Sequence, residues 1–130
     1  MEIKIYTDAG SRGNPGKSAA SFIFVKNNQI IKEKTIYLGM KTNNEAEYLA
    51  VIYALKELNP DEAEIISDSL LVVKQLNQEY KITKPLLKIL NQEIQNLIKD
   101  KKIRFSHSKR EDKFIKRADY LVNKELDKHK

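Results

Sequence analysis

Cysteine and tryptophan are absent from this sequence, and histidine occurs only twice. Without cysteine there is no disulfide, no thiolate nucleophile and no cysteine-based zinc site. Two histidines, His107 and His129, are too few for an imidazole-rich metal centre. Any metal must therefore be a hard ion held by oxygen ligands. No run of 18 apolar residues occurs, so no membrane span is predicted. The chain enters a patterned strand within two residues, which predicts no signal peptide and residence in the cytoplasm. Internal repeats, linkers and low-complexity segments are lacking too.

What remains is 130 residues, 41% apolar and 32% charged, which predicts one domain over 1–130 with a single core. The net charge of +6 is unevenly placed. Residues 99–130 hold 12 Lys/Arg against 6 Asp/Glu, while residues 1–98 hold 12 of each. The excess thus lies in the last quarter, and it suits either a polyanionic partner such as nucleic acid or a solvated lysine-rich helix.

Periodicity predicts a strand over 3–8 ending near Asp8, then two strands within 20–38 joined at Asn27-Asn28. A helix follows over 43–58, closed by Pro60, then a strand over 62–68 expected to be central. Helices over 69–78 and 85–100, a strand over 102–107 and a helix over about 114–128 complete the chain, with Pro85 opening the second of these helices. The implied fold class is α/β, one mixed sheet covered by helices.

Two features compete for the chemistry. The stretch YTDAGSRGNPGKS (6–18) ends in Gly-Lys-Ser and invites a phosphate-loop reading. That motif requires a glycine five residues before Gly16, where Ser11 stands, and it must open a helix. A β-branched and aromatic strand follows instead, so no nucleoside triphosphate is expected. The stretch reads as a hairpin connection in which Gly10, Gly13 and Gly16 permit tight turns. The stronger feature is a set of acids on faces that should be apolar. Glu47 aligns with Val51, Leu55 and Leu58, while Asp119 aligns with Ile115, Val122 and Leu126. Asp8 and Asp68 end strands, although Asp68 could equally be a helix N-cap. Four converging carboxylates would repel one another unless cations neutralised them, and a pair of Mg²⁺ or Mn²⁺ ions is the simplest neutraliser. Such a pair beside a basic flank is the design of a nuclease.

In order and spacing, TDAGSRGNPG (7–16), TNNEAEY (42–48), SDS (67–69) and ADYLVNKEL (118–126) resemble the motifs of type 1 ribonuclease H. The likeness is to its compact archaeal and bacterial forms without a basic protrusion. It spans nearly the whole chain. It implies the ribonuclease H-like fold, a five-stranded mixed β-sheet flanked by α-helices. It also implies hydrolysis of the RNA strand of RNA–DNA hybrids by a monomer using two divalent ions, leaving 5′-phosphate and 3′-hydroxyl ends. By the same resemblance, Asp8 bridges both ions, Asp68 completes the site that activates water, and Glu47 and Asp119 hold the second ion near the leaving oxygen. Asn14, Thr42, Asn43 and Asn44 then fall along the minor groove, where 2′-hydroxyls and shape are read. By residue type alone, Asn14 is also a turn residue and Asn43 a helix cap.

Three departures stand out. Leu70 follows SDS where many relatives carry a Gln that touches a base. The segment before Pro85 is too short for the basic handle of some relatives. Lys109 stands where many relatives have a mobile His, ten residues before the last Asp, and His107 lies twelve before it. His107, Lys109 and Arg110 are all candidates for that auxiliary role, although an Arg stays protonated and can only stabilise charge or hold a phosphate. Two alternatives share the motifs. One is a catalytically silent ribonuclease H-like module that binds nucleic acid; the other is a broader nuclease that also cuts double-stranded RNA.

Overall fold

The computed structural model describes residues 2–130. Among these residues the chain order is β1 (Ile3–Gly13), β2 (Gly16–Lys26), β3 (Gln29–Lys41), α1 (Asn43–Lys56), β4 (Glu62–Ser67), α2 (Leu70–Leu76), α3 (Pro85–Ile98), β5 (Lys102–His107) and α4 (Lys113–Asp127). The five strands form one sheet in the order β3-β2-β1-β4-β5. The first three run antiparallel, while β1–β4 and β4–β5 pair in parallel. The expected α/β sheet is therefore present, with each expected element in its place.

Alternation along the strands divides the core between two faces. Ile5, Phe22, Phe24 and Ile65 pack with α1, α2 and α3, whereas Tyr6, Ile23, Val25 and Ile66 pack with Phe114, Ile115 and Ala118 of α4. Tyr48, Phe22, Ile5 and Ile52 are wholly buried. Each contributes about 1.5–3 kcal/mol of apolar burial. The Tyr48 hydroxyl donates to Gln75 Oε1 at 2.7 Å, so the one polar tip among them is satisfied inside the core.

Several boundaries differ from the sequence reading. The first strand does not stop near Asp8; it runs on to Gly13, because Thr7–Gly13 continues to pair with β2. The connection shrinks to Asn14-Pro15. Gly10 is thus a strand residue, not a turn residue. A Cβ there would stand 3.3 Å from Val122 Cγ1, so its bare backbone lets α4 lie close. Gly13 does serve the turn, with φ of 110°. Helix α1 ends at Lys56, yet Leu58 beyond it is still buried. The central strand is β1, with β4 next to it. A sheet-central β1 carrying Asp8 is what gives the functional site its floor.

Candidate active site

Strand β1 pairs with β4 only over Ile3–Tyr6, then stays with β2 alone. Just past Tyr6 the two parallel strands part, at the C-terminal end of β4. Such a parting at the carboxyl ends of parallel strands leaves a crevice. Here it is a cleft of about 370 Å³ whose lining includes Asp8, Glu47, Asp68 and Asp119.

Each carboxylate arrives from a different element. Asp8 projects from β1 and is buried, at 5% exposure. Opposite it on β2, the Ser21 hydroxyl donates to the Ala118 carbonyl at 2.8 Å. That bond fastens α4 beside Asp8 at the residue next to Asp119. Glu47 comes from the inward stripe of α1, which is locked at its start by a capping box. Thr42 accepts from the Glu45 N–H, and Glu45 accepts from the Thr42 N–H, both at 3.2 Å. Thr42 is therefore the cap, and Asn43 the first helical residue rather than a cap. Asp68 follows the last residue of β4. It does not cap α2, because Ser69 does that by accepting from the Val72 N–H. The Asp68 carboxylate is left free to face the cleft.

Asp8, Glu47 and Asp68 bring carboxylate oxygens within 4.8 Å of one another. Asp119 stands outside this trio. It sits on an exposed edge of α4 at the cleft wall, not within the buried row predicted from its spacing. It is nonetheless close enough to Asp8 to disturb it. Burial first, then the charges of Asp68 and Asp119, push the Asp8 carboxyl from 3.8 up to about 8, against a backbone hydrogen bond at Ala9 that draws it down. Burial, then Asp8 and Asp68, hold Glu47 well above the usual carboxylate range. The buried Glu47 Oε2 has no hydrogen-bond partner. An orphaned buried carboxylate oxygen facing two further acids lacks a cation, and an all-oxygen donor set fits a hard dication such as Mg²⁺ or Mn²⁺.

Among the described residues, one side-chain cation meets the trio. Arg110 Nε lies 3.3 Å from Asp68 Oδ2, its own side chain 88% exposed. His107 is exposed, and its Nε2 faces the Asp68 carbonyl at 3.2 Å, where it can only donate. Lys109 is exposed and is not part of the cleft wall. Among the three auxiliary candidates, Arg110 reaches the carboxylates, His107 reaches the backbone beside them, and Lys109 reaches neither. Asn43 and Asn44 line the cleft. Asn14, at the hairpin tip, accepts from the Asn43 N–H at 3.0 Å and so joins the β1–β2 turn to the start of α1. Lys116 and Ser69 also line the cleft and were missed from the sequence. Lys116 lies one helical turn before Asp119, a spacing that could have revealed it.

Sheet order, helix placement and carboxylates gathered at the parting of β1 and β4 together define the ribonuclease H-like fold class. The RNase H family profile matches residues 1–126, and the chain belongs to that family. Among solved structures, an LC11 ribonuclease H1 in complex with an RNA/DNA hybrid superposes with a TM-score of 0.91 at 36% identity, covering 98% of this chain and 99% of that one. The ribonuclease H1 of Halobacterium salinarum gives a TM-score of 0.88 at 32% identity, over 98% and 99% of the two chains. Among curated relatives, the ribonuclease HI of Halobacterium salinarum is 38% identical over 90 residues, 66% of this chain and 45% of its own length. A bifunctional protein of Mycobacterium tuberculosis is 36% identical over 95 residues, 68% of this chain and 26% of its own length. The match thus spans less than half the length of these two curated relatives.

Proposed function

We propose that this chain is a single-domain, monomeric, cytoplasmic endoribonuclease that cuts the RNA strand of RNA–DNA hybrids with two Mg²⁺ or Mn²⁺ ions, leaving 5′-phosphate and 3′-hydroxyl ends. The observation that carries the reading is the trio of Asp8, Glu47 and Asp68, with Asp119 beside it, lining a cleft in a fold shared with a ribonuclease H1 solved in complex with an RNA/DNA hybrid. Asp8, the buried acid at the floor of the cleft, would be shared by the two ions. Asp68 would complete the site of one ion, and Glu47 with Asp119 that of the other. When bound, the ions activate the attacking water and stabilise the departing oxygen.

The protein's own groups do the rest. Thr42, Asn43, Asn44 and Asn14 form one connected rim of amides and a hydroxyl, suited to sugar and phosphate contacts that read shape and 2′-hydroxyls rather than bases. Arg110 presents a guanidinium to Asp68, so its role is to steady that carboxylate and meet a phosphate. His107 steadies the backbone of the same residue.

The test is to incubate labelled RNA–DNA hybrid, RNA duplex, single-stranded RNA and DNA duplex with Mg²⁺ or Mn²⁺, with and without chelator. Chelator-sensitive cutting of the RNA in the hybrid is expected, and Asp68→Asn should lower it by more than about 100-fold, beyond the loss typical of a mere supporting residue. Absence of any cut in RNA sinks the enzyme reading and leaves a silent binding module. Equal cutting of hybrid and RNA duplex shows a broader nuclease.

A further inference from the structure

Helix α4 has a second charged surface that the cleft chemistry does not use. Phe114, Ile115, Ala118, Val122 and Leu126 form its buried stripe. At about 100° per residue, Lys113, Lys116, Tyr120, Asn123 and Lys124 fall on the opposite arc, and all five are exposed. Asp119 marks the edge where this arc meets the cleft, and Lys116 lines both. Among the described residues, Lys113, Lys116 and Lys124 have no carboxylate partner, whereas most other cations of this quarter are paired. The only other acid on the arc, Asp127, is neutralised by Arg12 at 2.8 Å.

In the middle stands Tyr120, 52% exposed and part of no core cluster. Arg117 lies 5.3 Å from its ring centroid and Lys124 lies 5.9 Å from it. Arg117 is itself held in a fork by Glu33, through bonds of 3.1 and 2.6 Å. The ring is thus braced by a fixed guanidinium and remains half exposed. A braced aromatic face between unpaired cations is a platform for an unpaired base flanked by phosphates. A duplex buries its base faces and has no use for the ring.

We propose that the outward face of α4 binds single-stranded nucleic acid leaving the cleft, with a base on Tyr120 and phosphates on Lys113, Lys116 and Lys124. The proposal rests on the hybrid-binding reading of the cleft. Lys116 to Lys124 spans about 12 Å along the helix, room for a short run of nucleotides.

Fluorescence anisotropy on the full chain tests it, with chelator present so that nothing is cut. The probes are a blunt RNA–DNA hybrid and the same hybrid carrying a single-stranded RNA or DNA extension at either end. For the wild type, an extension at one end should tighten binding about fivefold or more, the scale of one stacked base. A Lys113→Gln/Tyr120→Ala/Lys124→Gln variant, which leaves Lys116 untouched, should lose that increment while binding blunt hybrid as before. Its salt slope on the extended probe should fall by about 1.4, for two phosphate contacts. The Lys113→Gln/Lys124→Gln variant should lose part of the increment and show the same fall in slope of about 1.4. The RNA and DNA arms report which strand the ridge prefers. No increment in the wild type, or an increment that survives in the triple variant, overturns the proposal. Hybrid that is bound with chelator but never cut with Mg²⁺ or Mn²⁺ refutes the catalytic reading alone.

Discussion

Replacing Asp8 by Asn should make the ion-free protein more stable while abolishing its chemistry. In the folded state burial and two neighbouring acids raise the Asp8 carboxyl from 3.8 to about 8. A group that binds its proton more tightly when folded costs stability wherever the unfolded chain has already lost that proton. The cost is nil below pH ~4, grows as pH rises toward 8, and levels off above it. At about 1.4 kcal/mol per unit the ceiling is about 6 kcal/mol. Water entering the open cleft and sharing of the proton among coupled acids both lower this, so we expect a gain of ~2 kcal/mol for Asp8→Asn at pH 8. That corresponds to a Tm increase of roughly 6–8 °C for a domain of this size. The assay is urea or thermal unfolding in chelator from pH 4 to 9, with the exposed Asp100→Asn as control. Added Mg²⁺ should stabilise the wild type by mass action and narrow the gap, since the variant has lost a ligand. A wild type as stable as the variant at pH 8–9 in chelator would refute the reasoning, as would a gap that does not close toward pH 4.

Because burial and neighbouring acids push the Asp8 carboxyl up to about 8 and hold Glu47 well above the usual carboxylate range, ion binding should release protons and tighten as pH rises toward 8; calorimetry in buffers of different ionisation enthalpy reads this directly. Gly10→Ala should cost ~1–2 kcal/mol in urea unfolding, because the new Cβ meets Val122 at 3.3 Å, and it should weaken ion binding by moving α4 with Asp119. Tyr48→Phe should cost ~1–3 kcal/mol by leaving the buried Gln75 without its donor, and hybrid cleavage under saturating ion should change little.

Much of the fold was legible in the chain because its local signals agree with one another. Asn27 and Asn28 both take positive φ, as a two-residue hairpin turn between twisted strands requires. Pro85 opens α3, and the apolar stripe of α1 packs inward as its spacing predicts. The misreadings have a common cause. Strand pairing beyond Asp8 depends on β2, so residues rich in Gly and Ser were taken for a loop when a partner strand had ordered them. The helix cap passed from Asn43 to Thr42 because the reciprocal bond to Glu45 outweighs composition.

The candidate site divides in the same way. Residue types and spacing alone excluded thiol chemistry, because cysteine is absent, and argued against imidazole-rich and nucleoside-triphosphate sites, because two histidines are few and the Gly-Lys-Ser stretch leads into a strand. They also singled out Glu47 and Asp119 as acids on apolar stripes, which is costly unless something compensates, and Asp8 and Asp68 as acids at strand ends. Distances lay beyond their reach. Only the parting of β1 from β4 decided that three of those acids meet within 4.8 Å while Asp119 stands at the wall. Only the course of the loop between β5 and α4 decided that Arg110, rather than Lys109, turns toward Asp68. Periodicity reports which face a residue occupies, but the meeting of faces from four separate elements is set by long-range packing, which no local pattern encodes.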